Sequence, residues 1–177
     1  MNNNINIKYG MEGEGLKYHV PLFRQDDKRW ELEPFGPFTV SFAGCGPTCI
    51  AMMLSAFTGK LVLPPDIAKK YGKEHTSEYG ALWSIFKATA DDYSLHLVQT
   101  DASELEPALD CLKEGGLVIA SMTPGHFTSA GHFIILKGIA PDGMLYINDP
   151  ASDNNNKKLW NPSIIFNECK QFFLFNN

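Results

Sequence analysis

The spacing of apolar residues divides the chain into a helical first part and an extended second part. Over residues 48–57 the apolar positions recur at i, i+3, i+4 and i+7, which is the pattern of one buried helix face. Pro47 suits the first turn of this helix, and Gly59 is placed to end it. Similar patterns predict further helices over 64–71, 78–93, 103–115 and 162–169.

A capping box predicts where the helix over 103–115 begins, with Ser103 as the N-cap and Glu106 three residues later. After residue 116 the apolar pattern becomes extended rather than helical. Strands are predicted over 95–98, 117–120, 133–139, 144–148 and 172–175. A turn is predicted over 141–143, and loops are predicted over 24–44 and 154–156. Because helices come first and strands cluster later, we expect an α+β fold with an antiparallel sheet.

The composition indicates one globular domain. The chain has 177 residues, of which 44% are hydrophobic, and folding at this length can bury roughly 70% of the unfolded surface. The first 19 residues are polar and without periodicity, so we expect an N-terminal arm over 1–19 and a single domain over 20–177. Such a core needs no disulfide or metal to hold it together.

Charge and hydropathy exclude several classes of partner. Fifteen basic against twenty acidic residues give a net charge of −5, and no basic cluster is present that would bind a nucleic-acid backbone. No apolar run reaches the roughly 18 residues of a transmembrane helix, and the start lacks the pattern of a signal peptide. As written the chain is expected in the cytoplasm, or outside it if this is a trimmed mature domain.

One of the four cysteines is poorly explained by packing. Cys45 lies in Gly44-Cys45-Gly46-Pro47-Thr48, directly before the helix, where free N–H groups and the helix dipole favour a thiolate. A buried structural cysteine is the alternative interpretation. Cys49, one turn later, is expected in the core, although it could resolve an oxidised Cys45; Cys111 and Cys169 are also assigned to the core.

A cysteine nucleophile needs a base, and the base needs an orienting acceptor. His132 opens a predicted strand beside Gly131, and Asp149 closes the next strand before Pro150. A hairpin would bring both to one edge of the sheet, provided that a bulge or a register offset is present. A surface histidine and a turn-capping aspartate are the structural alternatives. His126 is the second choice for the base, and a metal site of His126, His132 and Asp149 is a weaker option.

These residues together carry a family resemblance. The segment around Cys45 at a helix start, Gly131-His132-Phe133 entering a strand, and Asn148-Asp149-Pro150 ending the next resemble the papain-like cysteine peptidases related to the bacteriocin double-glycine leader peptidases. The stretch 25–30, with Gln25, Asp27 and Trp30, is similar to a Gln-x-Asp-x-x-Trp segment of free-standing members. Leu159-Trp160 resembles their downstream tail, so that the resemblance covers roughly residues 20–175.

The resemblance implies a papain-like α+β fold and a catalytic triad. Cys45 would be the nucleophile, His132 the base and later the acid, and Asp149 the residue that orients the imidazole. Papain-like enzymes usually place an oxyanion-binding glutamine six residues before the cysteine; that position is Thr39 here, and Gln25 is the nearest glutamine upstream. The backbone N–H of Cys45 is a second candidate donor.

The expected function is therefore that of a cysteine peptidase, which cleaves a peptide or amide bond through an acyl-enzyme. Its substrate would be a peptide, a protein or a cell-wall peptide, and no cofactor or metal is expected. The residue at position 39 also leaves open a catalytically inactive homologue that binds peptides with the same fold.

Overall fold

The computed structural model of the protein describes residues 11–177. Ten residues of the predicted arm, 1–10, lie outside this range. The helices are α1 (Val40–Ala43), α2 (Cys45–Thr58), α3 (Pro64–Tyr71), α4 (Ser84–Tyr93), α5 (Glu106–Lys113), α6 (Asp153–Asn156) and α7 (Pro162–Asn167). The strands are β1 (Glu14–Gly15), β2 (Pro34–Phe35), β3 (Phe38–Thr39), β4 (Thr76–Ser77), β5 (Gly80–Ala81), β6 (His96–Asp101), β7 (Leu117–Met122), β8 (His132–Ile139), β9 (Leu145–Asn148) and β10 (Cys169–Asn176).

The centre of the fold is an antiparallel sheet, which confirms the predicted α+β class. Within residues 11–177 this sheet has six strands in the order β1-β8-β7-β10-β6, and β9 pairs with β8 beside this path. The hairpins β2-β3 and β4-β5 form separate two-stranded sheets. Within the same residues no helix combines the length and the apolar character needed to cross a bilayer.

Both faces of the sheet are covered, which explains why its central strands are apolar almost throughout. Successive side chains of a strand point to opposite faces. Ile119 and Phe133 pack toward α2, α3 and α4, whereas Val118 and Ile134 pack toward α5 and α7. The helix α2 is buried along most of its length because it lies directly on the sheet.

The hairpin of β8 and β9 contains the register shift that was predicted from the sequence. Ile135 pairs with Asn148 and Leu136 with Ile147, but the register shifts before Gly138 pairs with Tyr146. The bulged residue is therefore Lys137. This finding confirms the predicted need for a bulge or a register offset in this hairpin.

Two helix starts are wrong in the prediction. The segment predicted as the start of a helix at 78 is the hairpin β4-β5, and α4 begins only at Ser84. The predicted capping box does not form: α5 begins at Glu106 with no side-chain cap, because the backbone and hydroxyl of Ser103 bond to the carboxylate of Asp101 instead. A local side-chain turn has replaced the cap.

Three smaller boundaries also differ from the prediction. The predicted loop over 154–156 is part of the short helix α6, and α7 ends at Asn167 rather than at Cys169. The segment 24–44, predicted as irregular surface, contributes β2, β3 and α1 and buries Trp30, Phe35 and Val40. For the segment 24–44 the buried side chains show that packing against the rest of the fold, which a local pattern does not encode, decides the elements.

Candidate active site

The first turn of α2 fixes the position of Cys45. The helix begins at Cys45, so the backbone N–H of this residue has no acceptor within the helix. Gly44 joins α1 to α2, and a Cβ atom there would lie 2.3 Å from the carbonyl oxygen of Val40. Only glycine permits this close approach, which turns the chain sharply between the two helices and leaves Cys45 partly exposed at the surface of a cleft.

His132 lies between Cys45 and Asp149. It is the first residue of β8, where it pairs with Met122 of β7, and only 8% of it is exposed. Its Nε2 atom lies 2.7 Å from Oδ1 of Asp149, and its side chain also interacts with that of Cys45. Because Nε2 is engaged by Asp149, the ring nitrogen left for Cys45 is Nδ1.

The surroundings of His132 favour its protonated form. Burial alone would lower its pKa, but the hydrogen bond with Asp149 and the interaction with Cys45 raise the pKa to about 10. An imidazolium is therefore stable at neutral pH in this site. The arrangement can hold a thiolate–imidazolium pair, which is the reactive form of a cysteine nucleophile.

Asp149 is fully buried and its carboxylate is held on both oxygens. Oδ1 accepts the backbone N–H of Ala151 at 2.8 Å besides the contact with His132, and Oδ2 accepts Nδ2 of Asn155 at 2.8 Å. Burial alone would raise the pKa of Asp149, but His132 and these donors hold it below its usual value. Asn155 carried no signal in the sequence beyond its place in an asparagine triplet.

Gln25 reaches the same region from the N-terminal segment. Its backbone N–H donates to the carbonyl oxygen of Pro150 at 2.9 Å, and its Nε2 donates to the carbonyl oxygen of Ser41 at 2.7 Å. Ser41 is one turn before Cys45, so Gln25 bridges the chain after Asp149 and the chain before Cys45. Its Oε1 is buried without a hydrogen-bond partner among the described residues, a state that costs about 1–3 kcal/mol.

Cys45 and His132 line a cleft of about 600 Å³. One side is formed by α1 and the β4-β5 hairpin, which contribute Phe42, Tyr79 and Gly80. The other side is formed by the end of β7 and the start of β8, including Gly131. Cys45 is partly exposed in this cleft, so that a substrate carbonyl can approach its sulfur from solvent.

The other cysteines are structural. Within the described residues all four thiols are free. Cys49 is fully buried beneath the site, and burial, followed by the negative charge of Cys45 and Asp149, raises its pKa well above the ordinary value. Burial also raises the pKa of Cys111 to about 11 and that of Cys169 to about 12. Cys49 is therefore a poor resolving thiol.

His126 and Thr39 are engaged elsewhere. Nδ1 of His126 lies 2.5 Å from Oε1 of Glu168, its backbone N–H donates to Oε2 at 2.7 Å, and its ring packs against Trp160. The Oγ1 atom of Thr39 lies 3.1 Å from the hydroxyl of Ser41. In residues 11–177 no group of three or more His, Cys, Asp or Glu side chains could hold a metal ion.

Comparisons with solved structures extend over almost the whole chain. A C39-like peptidase from Bacillus anthracis has a TM-score of 0.60 at 16% identity, with 90% of this chain and 95% of that chain covered. The peptidase domain of Streptococcus ComA, a bifunctional ABC transporter of a quorum-sensing pathway, has a TM-score of 0.60 at 15% identity, covering 89% and 98%. A double-glycine-motif protease from an AMS/PCAT transporter, solved with its leader peptide, has a TM-score of 0.57 at 22% identity, covering 93% and 94%.

At these identities the structural matches show the fold, and they agree with the papain-like α+β fold expected from the sequence. No curated protein is significantly similar in sequence. The model of the Peptidase_C39 like family, however, matches residues 17–174. This match spans most of the chain and includes Cys45, His132 and Asp149, and it confirms the resemblance drawn from the sequence. The chain therefore belongs to the Peptidase_C39 like family.

Proposed function

We propose that this protein is a cysteine peptidase with Cys45 as nucleophile, His132 as acid and base, and Asp149 as the residue that orients His132. The observation that carries the proposal is the position of His132, whose side chain interacts with that of Cys45 and lies 2.7 Å from Oδ1 of Asp149. Acyl transfer requires a nucleophile that contacts a base, and a base that contacts an orienting acceptor, as they do here.

The reaction follows from the charges of the site. The thiolate of Cys45 attacks the carbonyl carbon of the scissile bond, and the carbonyl oxygen takes the negative charge. When the C–N bond breaks, the imidazolium of His132 gives its proton to the leaving amine, and a thioester remains on Cys45. Neutral His132 then takes a proton from water as the water attacks the thioester. Release of the carboxylic acid restores the thiolate–imidazolium pair.

Two donors are available for the developing oxyanion. Nε2 of Gln25 carries two hydrogens, and one of them is used by the carbonyl oxygen of Ser41. The second hydrogen and the backbone N–H of Cys45 are the donors that we assign to the oxyanion. The contacts of Gln25 with Ser41 and Pro150 support this role, because they hold the amide beside the segment that precedes Cys45.

A peptide is the substrate class that fits the cleft. A protease solved in complex with a leader peptide is among the structural neighbours, and Cys45 lies in a cleft that solvent can reach. Leader peptides with a double glycine, secreted peptides and cell-wall peptides all satisfy this description. Assays with Gly-Gly peptides and with muropeptide fragments would separate these substrates.

The competing function is peptide binding without hydrolysis, which the threonine at position 39 favours. The contact between Gln25 and Ser41 weakens that argument, because it brings an amide donor to the segment before Cys45 from a more distant position. The deciding experiment is hydrolysis by the wild-type protein and by Cys45→Ala. Hydrolysis that disappears in Cys45→Ala supports the peptidase, whereas binding of peptides with no hydrolysis in either protein supports the alternative.

A further inference from the structure

Two asparagines of the segment after β9 form hydrogen bonds with Asp149. Nδ2 of Asn155 donates to Oδ2 of Asp149 at 2.8 Å. Asn156 instead contacts the main chain of Asp149: its Oδ1 accepts the N–H at 2.6 Å and its Nδ2 donates to the C=O at 2.9 Å. One asparagine therefore holds the carboxylate and the next holds the backbone that carries it.

The contacts of Asn156 replace a strand partner. The strand β9 ends at Asn148, and Pro150, which has no N–H, prevents the ladder from continuing normally. The side-chain amide of Asn156 offers one acceptor and one donor to the two backbone groups of Asp149, as a neighbouring strand would. The peptide groups of Asp149 thus remain paired although the residue lies beyond the sheet.

The contact of Asn155 decides which way the carboxylate faces. The terminal torsion of an aspartate is broad, so a carboxylate held on one oxygen can turn about its Cβ–Cγ bond. With Oδ2 bonded to Asn155 and Oδ1 to the N–H of Ala151, the carboxylate has one orientation, in which Oδ1 faces Nε2 of His132.

The two asparagines are themselves anchored. The hydroxyl of Ser152 caps the backbone N–H of Asn155 at 3.2 Å, and the indole N–H of the buried Trp160 donates to the carbonyl oxygen of Asn155 at 3.0 Å. Arg24, next to Gln25, forms an ion pair with Asp153 and donates to the carbonyl oxygen of Ala151. These contacts connect the segment to the rest of the site.

We infer that Asn155 and Asn156 are positioning residues of the peptidase, which act on His132 through Asp149. The inference rests on the proposed function, because it assigns a role within the same site. Asn155 keeps Oδ1 directed at the imidazole, and Asn156 keeps the backbone of Asp149 in place. Neither side chain lines the cleft at Cys45, so neither is assigned a contact with substrate.

The triplet supplies its own control. Asn154 is exposed, and its side chain has none of the contacts to Asp149 that its two neighbours make. Asn154→Ala removes the same atoms as Asn155→Ala and Asn156→Ala from the same short helix. Asn155→Leu and Asn156→Leu keep the approximate size of the side chain and remove its hydrogen-bonding groups without adding a charge, and they serve if an alanine variant does not fold.

Two measurements test the inference. The rate of alkylation of Cys45 by iodoacetamide, followed by mass spectrometry across pH, reports the thiolate–imidazolium pair. We expect the acid limb of this rate profile to move to higher pH in Asn155→Ala, because a carboxylate that can turn away from Nε2 of His132 stabilises the imidazolium less. The second measurement is the NMR signal of the Nε2–H proton of His132 in histidine-labelled protein, which reports the contact with Asp149 independently of hydrolysis.

The outcomes separate the inference from the proposed function. We expect the Asn155 and Asn156 variants to shift or broaden the Nε2–H signal and to lower kcat about tenfold with KM unchanged. Asn154→Ala should resemble the wild type in both measurements. The urea unfolding midpoints of all the variants should stay close to that of the wild type. If the wild type hydrolyses peptides but all three positions behave alike in both measurements, the positioning role is wrong. If the wild type hydrolyses nothing but the signal still depends on Asn155, the peptidase assignment is wrong and the positioning of Asp149 stands.

Discussion

His132 and Asp149 are in contact at 2.7 Å although the sheet does not pair them. The register of β8 and β9 places Ile135 opposite Asn148, so that a continued ladder would place Ala151 opposite His132. The chain leaves the ladder after Asn148 instead. The contact between the two side chains therefore depends on the segment that follows β9 as much as on the strands themselves.

The first prediction concerns the reactivity of Cys45. Because His132 interacts with Cys45 and its pKa is raised to about 10, we expect iodoacetamide to alkylate Cys45 at pH 6 at least about tenfold faster than a free thiol. Replacing His132 with alanine should remove this advantage. Adducts are located by mass spectrometry after short exposures.

Two comparisons make this measurement decisive. Cys111 is buried, with its pKa raised to about 11, and should stay unmodified under the same conditions. His126→Ala removes the histidine that is bonded to Glu168, and its Cys45 should react as in the wild type. Equal rates in the wild type and in His132→Ala at pH 6 would contradict the assignment of the base.

The second prediction concerns the alkaline limb of activity. Burial lowers the pKa of His132, whereas Asp149 and Cys45 raise it. The leaving amine needs the proton of His132, so activity should persist above pH 8 and fall as the pH approaches about 10. In Asp149→Asn the carboxylate no longer raises the pKa of His132, whereas burial still lowers it. The limb should therefore move to lower pH, and kcat should fall by about 10²-fold or more.

The pH profile of kcat/KM measures this shift. Asp142→Asn is the matched control, because Asp142 is an exposed residue of the turn between β8 and β9 and the asparagine still accepts the N–H of Met144. An alkaline limb at the same pH in Asp149→Asn and in the wild type would mean that Asp149 does not set the protonation of His132.

The third prediction concerns the oxyanion. Gln25→Ala should lower kcat by about 10²–10³-fold, the usual effect of removing one oxyanion donor, with a much smaller change in KM. Gln25→Glu, which keeps the shape and removes the donor, should be at least as damaging. Thr39→Ala should be active, although position 39 is where papain-like enzymes usually carry the glutamine. A fully active Gln25→Ala would leave the backbone N–H of Cys45 as the assigned donor.

The sequence predicts those parts of the site that depend on neighbours along the chain. Cys45 at a helix start follows from local periodicity and from Pro47, and the helix over 64–71 matches the structure at both ends. Gln25 could be proposed only through resemblance, because its position depends on contacts with Ser41 and with Pro150, 16 and 125 positions away in the chain. Asn155 and Asn156 had no periodic or spacing signal at all.

The predicted starts of α4 and α5 are wrong because a local pattern was not sufficient to place them. The helix predicted over 78–93 has its apolar stripe only from Leu82 onward, and the chain before α4 forms the β4-β5 hairpin, which becomes part of one side of the cleft. At Ser103 two local hydrogen-bonding options compete, and the turn with Asp101 is the one that forms. The local pattern alone does not decide between such alternatives.

The last prediction concerns the width of the cleft. Gly131 lines the cleft beside His132, and a Cβ atom built on it meets no heavy atom within 4 Å. A Cβ atom at this position therefore fits without a clash, and the rest of an added side chain would occupy space in the cleft that the substrate uses. We expect Gly131→Val to unfold at the same urea concentration as the wild type and to lower kcat/KM by about tenfold or more.

A comparison of kcat/KM for substrates of different size tests whether the added side chain narrows the cleft. Ser129→Val adds the same β-branched side chain two positions earlier, at an exposed residue that does not line the cleft, and it should leave kcat/KM unchanged. If the added valine narrows the cleft, Gly-Gly peptides should lose less than peptides with large side chains next to the scissile bond, because small residues leave room for it. Equal losses for both peptides, or no loss in Gly131→Val, would mean that substrate does not pass beside Gly131.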